Sequence, residues 1–257
     1  GNNTTGNNNV AMGKDALGTA TTGHYNTAIG CTALAANTTA SNNTAIGRAV
    51  LYNNTTATGN TGMGSEALYS NTTGANNIAI GTNALYANTT GGENVAVGYG
   101  AMYSNTTASD NTAMGKTALY WNTTGTYNTA MGRAALYGNT TASYNTATGH
   151  QALYTNTTGG FNDAFGARSL EANTTADNNT GIGSKALQAN TTGASNTAVG
   201  KDALKANTTG TENAAFGTWS LTGNTTASYN TGVGSNALPA NTTGASNTGI
   251  GRAAMFS

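Results

Sequence analysis

The sequence predicts an all-β protein, a parallel β-solenoid built from fifteen 17-residue coils, and three observations predict it. One glycine returns every seventeen residues, at Gly13, Gly30 and onward to Gly251. An Asn stands before a short β-rich run in all fifteen copies, and a Leu or Met follows the glycine at a fixed distance. No copy gains or loses a residue, so each must hold the same place in a regular stack, where an insertion would break register with both neighbours. Residues 1–257 therefore read as a single tandem-repeat solenoid.

The unit is N-T-A-I-G-x-x-A-L-Y-x-N-T-T-G-x-x, best kept at Asn77 to Glu93 and Asn128 to Tyr144. Its first element is the run around Ala28. Thr27, Ile78 and Val95 are β-branched, and Ile29, Val97, Met114 and Phe165 are apolar, which predicts a short strand of alternating faces. Only Ala or Gly sits at its centre, so that side is packed too closely for a larger group. The corner glycine that follows predicts a positive φ or a contact that admits no Cβ. Next comes A-L-Y, an apolar anchor in which Leu gives way only to Met102 and Met255, a change that nearly conserves volume. Ile29, Leu34, Ile46, Leu51, Ile80 and Leu85 are thus expected in the core. Thr-Thr reads as a second short strand. The position after it holds only Gly or Ala (Gly23, Ala40), a restriction of size rather than backbone handedness.

Helical repeats need at least twice this period and an apolar spacing near 3.6, which is absent. At about 4.8 Å per strand layer, fifteen coils would span roughly 70 Å. In-register stacking also explains the Asn, because amides repeated at one position can hydrogen-bond from coil to coil. Asn9, Asn26, Asn43, Asn60, Asn77, Asn94, Asn111 and Asn128 are the expected structural ladder.

Composition bounds the function. Nine basic and nine acidic residues leave a net charge of zero, so the chain lacks the basic face that phosphate backbones require, and nucleic acid is not an expected partner. No stretch approaches the roughly 20 apolar residues that cross a bilayer, and membrane insertion by this segment is not expected. Asn, Thr, Gly and Ala dominate with one proline, Pro239, a balance that resembles low-complexity disorder. The retained Ile, Leu and Ala positions argue for a fold instead. The single Cys31 has no partner for an internal disulfide.

The run N-T-A-I-G followed by A-L or A-M, as at Asn26 to Leu34, resembles the head repeat of trimeric autotransporter (YadA-like) adhesins and related bacterial or phage fibre repeats. The resemblance covers all fifteen units and implies a left-handed β-roll, assembly with copies of itself and a place outside the cell. The chain departs from the adhesin head in its period, seventeen instead of about fourteen, and in its added N-T-T segment. No stalk heptads, membrane anchor or chaperone module is read in these residues, so none of their functions is expected of this segment.

Catalytic chemistry is not read in this sequence. His24 and His150 fall at different phases of the repeat with no acidic or thiol cluster beside either, which predicts solvated histidines. Charged residues such as Lys14, Asp15, Arg48, Glu66, Lys116, Arg133 and Lys201 occupy the variable places after the corner glycine, the expected pattern of a solvated rim. No phosphate-binding glycine loop or calcium nonapeptide occurs. Neither enzyme activity, metal nor cofactor is expected.

Two surfaces are candidates for function. Tyr52, Tyr69, Tyr86, Tyr103, Tyr120, Tyr137 and Tyr154 share one phase in seven consecutive copies. Such a stripe either covers the adjacent leucines or binds a neighbouring chain or the sugar rings of host-surface or matrix glycans. The Thr-Thr column raises the alternative of an ice-binding face, weakened because adjacent threonines on a strand point to opposite sides. Asn37, Asn54, Asn71 and Asn88 each begin an Asn-Thr-Thr acceptor for glycosylation on a eukaryotic-type secretory route; the competing reading is a buried ladder. Gly1 and Phe256 share a phase, giving fifteen units plus two residues without a polar cap. This pattern is expected either of a window in a longer fibre or of chains that stack end to end. The expected function is an extracellular structural or adhesive fibre segment that self-associates, as a homotrimer or a filament.

Overall fold

The computed structural model describes residues 3–255; the phase match of Gly1 with Phe256 lies outside the described residues. The chain forms two compact units divided between Tyr127 and Asn128, and each is a parallel β-solenoid of 17-residue coils. In the first unit the strands are β1 (Val10–Met12), β2 (Thr27–Ile29), β3 (Thr44–Ile46), β4 (Thr61–Met63), β5 (Ile78–Ile80), β6 (Val95–Val97) and β7 (Thr112–Met114). In the second they are β8 (Thr129–Met131), β9 (Thr146–Thr148), β10 (Asp163–Phe165), β11 (Thr180–Ile182), β12 (Thr197–Val199), β13 (Ala214–Phe216), β14 (Thr231–Val233) and β15 (Thr248–Ile250). Within each unit consecutive strands pair in parallel with identical phases opposed, as Ala28 with Ala45 and Ala198 with Ala215.

Each coil contributes one strand of three residues, which corrects the expectation of a second strand at Thr-Thr. The chain bends there. One carbonyl gathers the donors of the bend: Thr38 O accepts from the backbone amides of Thr21 and Thr22 and from the Thr21 hydroxyl. A straight strand would give each amide its own acceptor.

A three-residue strand with its centre turned inward must turn its first and third residues outward. Ala28, Ala45 and Ala79 are accordingly inaccessible to solvent, while Ile80 is 38 % exposed and Ile29 and Ile46 are half-buried. The three isoleucines expected in the core belong instead to the outer strand face. The interior is filled by the strand-centre Ala, by the Ala after the corner, and by Leu34, Leu51, Leu85 and their equivalents, which are completely buried. The core is therefore a column of Leu packed among methyl groups, narrow enough for two walls of backbone to approach closely.

The corner glycine meets both sequence criteria at once. Gly98 has φ +136°, and a Cβ there would lie 2.5 Å from the carbonyl oxygen of Gly115 in the next coil. The leucines of the turn also take positive φ, 50° at Leu34 and 51° at Leu85, as do the residues two places after the glycine and one place before the strand Asn. Each coil thus holds several non-glycine residues in the left-handed region, a strain of about 1 kcal/mol apiece that the surrounding stack must overcome.

Candidate functional site

Within each unit two buried asparagine columns close the coils and join neighbours, with Ala20 the one break in the second column. Asn43 of the expected ladder donates Nδ2–H to Ala57 O at 2.9 Å across the coil, and its backbone N–H donates to Asn26 Oδ1 at 3.1 Å in the preceding coil. The same link recurs in the second unit, where the Asn145 amide donates to Asn128 Oδ1 at 3.0 Å. The second column is formed by Asn37, Asn54, Asn71 and Asn88. Asn88 Nδ2 donates to Gly91 O at 2.9 Å and to Asn71 Oδ1 at 2.8 Å. Both columns converge on one carbonyl, since Gly91 O also receives Asn77 Nδ2 at 2.9 Å. A clasp of two amides on a single acceptor holds the two ends of the coil together.

Of the two readings of these asparagines, that clasp favours the buried ladder over glycosylation. Asn37, Asn54, Asn71 and Asn88 are completely buried, and an amide nitrogen carrying a glycan has no room in the column. The threonines beside them divide at the bend: Thr72 Oγ1 donates to Thr89 O at 3.0 Å and is half-buried, while Thr73 is exposed.

The tyrosines form true stacks. In the first unit Tyr52, Tyr69, Tyr86, Tyr103 and Tyr120 follow one another with ring centroids 5.1–5.2 Å apart and planes within 3–7° of parallel. Trp121 sets its edge against Tyr120 at 4.9 Å. In the second unit Tyr137 stacks on Tyr154 at 5.2 Å. A ring inside the stack spends both faces on its neighbours, so only its edge and hydroxyl reach solvent. Burial raises the Tyr86 phenol above its usual 10.0, with smaller contributions from the Glu66 charge and from Tyr103 and Tyr69.

The outer strand face was not foreseen as a surface. Its third-residue rank is Met63 (39 %), Ile80 (38 %) and Met114 (43 %) in the first unit, and Phe165 (41 %), Ile182 (41 %) and Phe216 (43 %) in the second. A rank of mainly threonine, such as Thr44, Thr61 and Thr112, runs beside it. The recurrent apolar residue at this phase was the signal, and it read as core because recurrence gives no direction, although the strand's one inward place belongs to Ala or Gly. Charge borders the face unequally. Cations outnumber acids on the corner after the strand, where Lys14, Arg48 and Lys116 in the first unit and Arg133, Arg168, Lys185 and Lys201 in the second stand with Asp15, Glu66 and Asp202. Acids stand in the turn before it, at Glu93 and Asp110 and at Asp177 and Glu212.

His24 Nδ1 meets Asn7 Oδ1 at 2.8 Å, and His150 is exposed. Among the described residues no three His, Cys, Asp or Glu side chains gather where a metal ion could be held, and no helix is long and apolar enough to cross a membrane. No protein-family model, no curated protein and no solved structure matches the chain.

Proposed function

We propose that this chain is a structural segment of an extracellular fibre, adhesive or matrix-forming, whose copies associate side by side through the outer face of their strands. The observation that carries the reading is the rank of outward Met, Ile, Val and Phe that recurs on consecutive strands of both units. An apolar rank of this length marks an interaction surface. A partner must offer apolar groups at the same interstrand spacing over many coils, and a second copy does so by construction.

The charged borders give the association a direction. Copies aligned in parallel about an axis along the solenoid bring the basic border of one beside the acidic border of the next. Antiparallel copies would set like charges together, which costs affinity and specificity. The resemblance of N-T-A-I-G to the head repeats of trimeric adhesins agrees with a cyclic homo-oligomer of this kind, a homotrimer by that resemblance. Buried amide ladders and few Lys or Arg sites suit a chain exposed to proteases.

Sedimentation of the whole chain tests the reading. The expected result is an oligomer that falls to a monomer when Phe165, Ile182 and Phe216 are all replaced by serine, with the strand signal in circular dichroism retained. A chain that sediments as a monomer at every concentration, before any replacement, would refute it.

A further inference from the structure

We infer that the open end of the tyrosine stack in the first unit is a binding slot for one neutral pyranose ring of a glycan. The inference is independent of self-association, because the slot lies at the turn position that follows Leu, away from the strand face.

Tyr52 stacks on Tyr69 through one ring face only. At the same phase, the two preceding coils carry Ala35 and Gly18 in place of tyrosine. Their missing rings leave a depression of about 420 Å³, open to solvent, floored by Ala35 and Gly18 and walled by Tyr52. Its volume lies within the roughly 300–1,000 Å³ of small-ligand clefts, and its openness suits a ring held on one face with its far side in water. The stack advances 5.1–5.2 Å per coil, so a single six-membered ring laid on Tyr52 at the level of Ala35 continues it. A pyranose offers a face of C–H groups to the π cloud where a tyrosine would offer its ring.

The rim decides which ring. Asp15, Thr19 and Thr32 line the depression. Thr19 Oγ1 already donates to Ala35 O at 2.7 Å, and Thr32 Oγ1 to Cys31 O at 2.8 Å. Both hydroxyls have spent their protons and can only accept, as can the Asp15 carboxylate. The ligand must therefore supply several donors, which hydroxyl groups on a sugar do and a plain aromatic ring does not. The Asp15 charge also works against anionic sugars. Past the other end of the tyrosine phase the equivalent place is filled. After Tyr154 comes Glu171, whose carboxylate accepts from Gln188 Nε2 at 2.6 Å and pairs with Arg168 Nε at 3.6 Å.

Saturation-transfer NMR on the intact chain tests the slot, with glucose, galactose, mannose and N-acetylglucosamine as probes and phenol and choline as competitors. At least one sugar is expected to bind. Ala35→Tyr, which restores the repeat and fills the slot, should weaken it at least tenfold, the loss of one ring contact and its hydrogen bonds. Asp15→Asn should weaken it about fivefold, and Tyr154→Ala should leave it unchanged. If Ala35→Tyr disturbs the coil, Tyr52→Ala and Asp15→Asn carry the test. Binding of phenol or choline but no sugar, no sugar binding at all, or sugar binding indifferent to these variants would each overturn the assignment.

Discussion

The inner wall of each coil and the outer face of the same strand obey different rules although they are one residue apart. Inside, β2 and β5 place Ala28 and Ala79 in full burial, and the corresponding site accepts only Ala or Gly. Outside, the neighbouring rank runs through Ile, Met, Val, Phe and even Thr148 with no change in backbone. Close-packed interiors register a single methyl group, whereas a side chain that meets solvent has room to vary. The inner wall therefore specifies the coil, and the outer face remains free to specify a partner.

The comparison breaks most sharply at the corner. Gly98→Ala demands both a positive φ of 136° from an L side chain and a Cβ 2.5 Å from the Gly115 carbonyl. A loss of about 4 kcal/mol is expected from the two effects together, read as a lower denaturant midpoint. A loss below about 1 kcal/mol would mean that the corner relaxes and that register is set elsewhere.

A subtler break tests whether the wall packs as pairs. Val50 stands where most coils have Ala, and the strand centre of the next coil is Gly62, whose added Cβ would collide with Val50 Cγ1. The same exchange recurs at Ser169 with Gly181 and at Ser220 with Gly232, where each serine hydroxyl donates to the glycine carbonyl at 2.8 and 2.9 Å. Gly62→Ala should cost about 2 kcal/mol by overpacking, and Val50→Ala in the same chain should recover most of it. Additive losses in a double-mutant cycle would sink the pairing.

Much of this was legible in the sequence, and the exceptions share a cause. Period, parallel stacking, the corner glycine, the leucine column and the ladder of Asn26 and its equivalents follow from residues that recur at one phase. Recurrence alone does not give direction. Ile29, Ile46 and Ile80 recur as faithfully as Leu34 yet face outward, because three residues of strand provide one inward place and alanine holds it. Asn37 recurs beside Thr-Thr and so imitates a glycosylation site, although its amide is spent inside the coil. The positive φ of Leu34 has no local signal, since leucine does not favour that region. Its companion one place before the strand Asn does in some coils, where Asn42, Asn76, Asn178 and Gly59 tolerate it, while Tyr25 and Phe161 give none. Val50 and Gly62 are twelve residues apart, and only the coil geometry brings them together.

On the outer face the same measurement should barely move. Ile80→Ser removes a side chain already 38 % exposed, so the isolated chain should lose less than about 1 kcal/mol. A loss as large as that at Gly62 would erase the distinction between wall and face. A small loss accompanied by weaker self-association would sharpen it.

The smallest effect is expected at the tyrosine edge, between wall and solvent. Burial, ahead of the Glu66 charge and the neighbouring Tyr103 and Tyr69, holds the Tyr86 phenol above its ordinary 10.0 in the folded state. Below that value Tyr86 is neutral whether the chain is folded or not, so its contribution is fully present. As pH rises through and beyond it the unfolded chain deprotonates first, and stability is lost until the folded phenol also ionises. Stability should thus fall more steeply in the native chain than in Tyr86→Phe on the alkaline side of pH 10, a difference that denaturant melts at successive pH values resolve. Parallel curves would mean that the ring ionises as freely in the stack as in water, and the tyrosine column would then belong with the outer face.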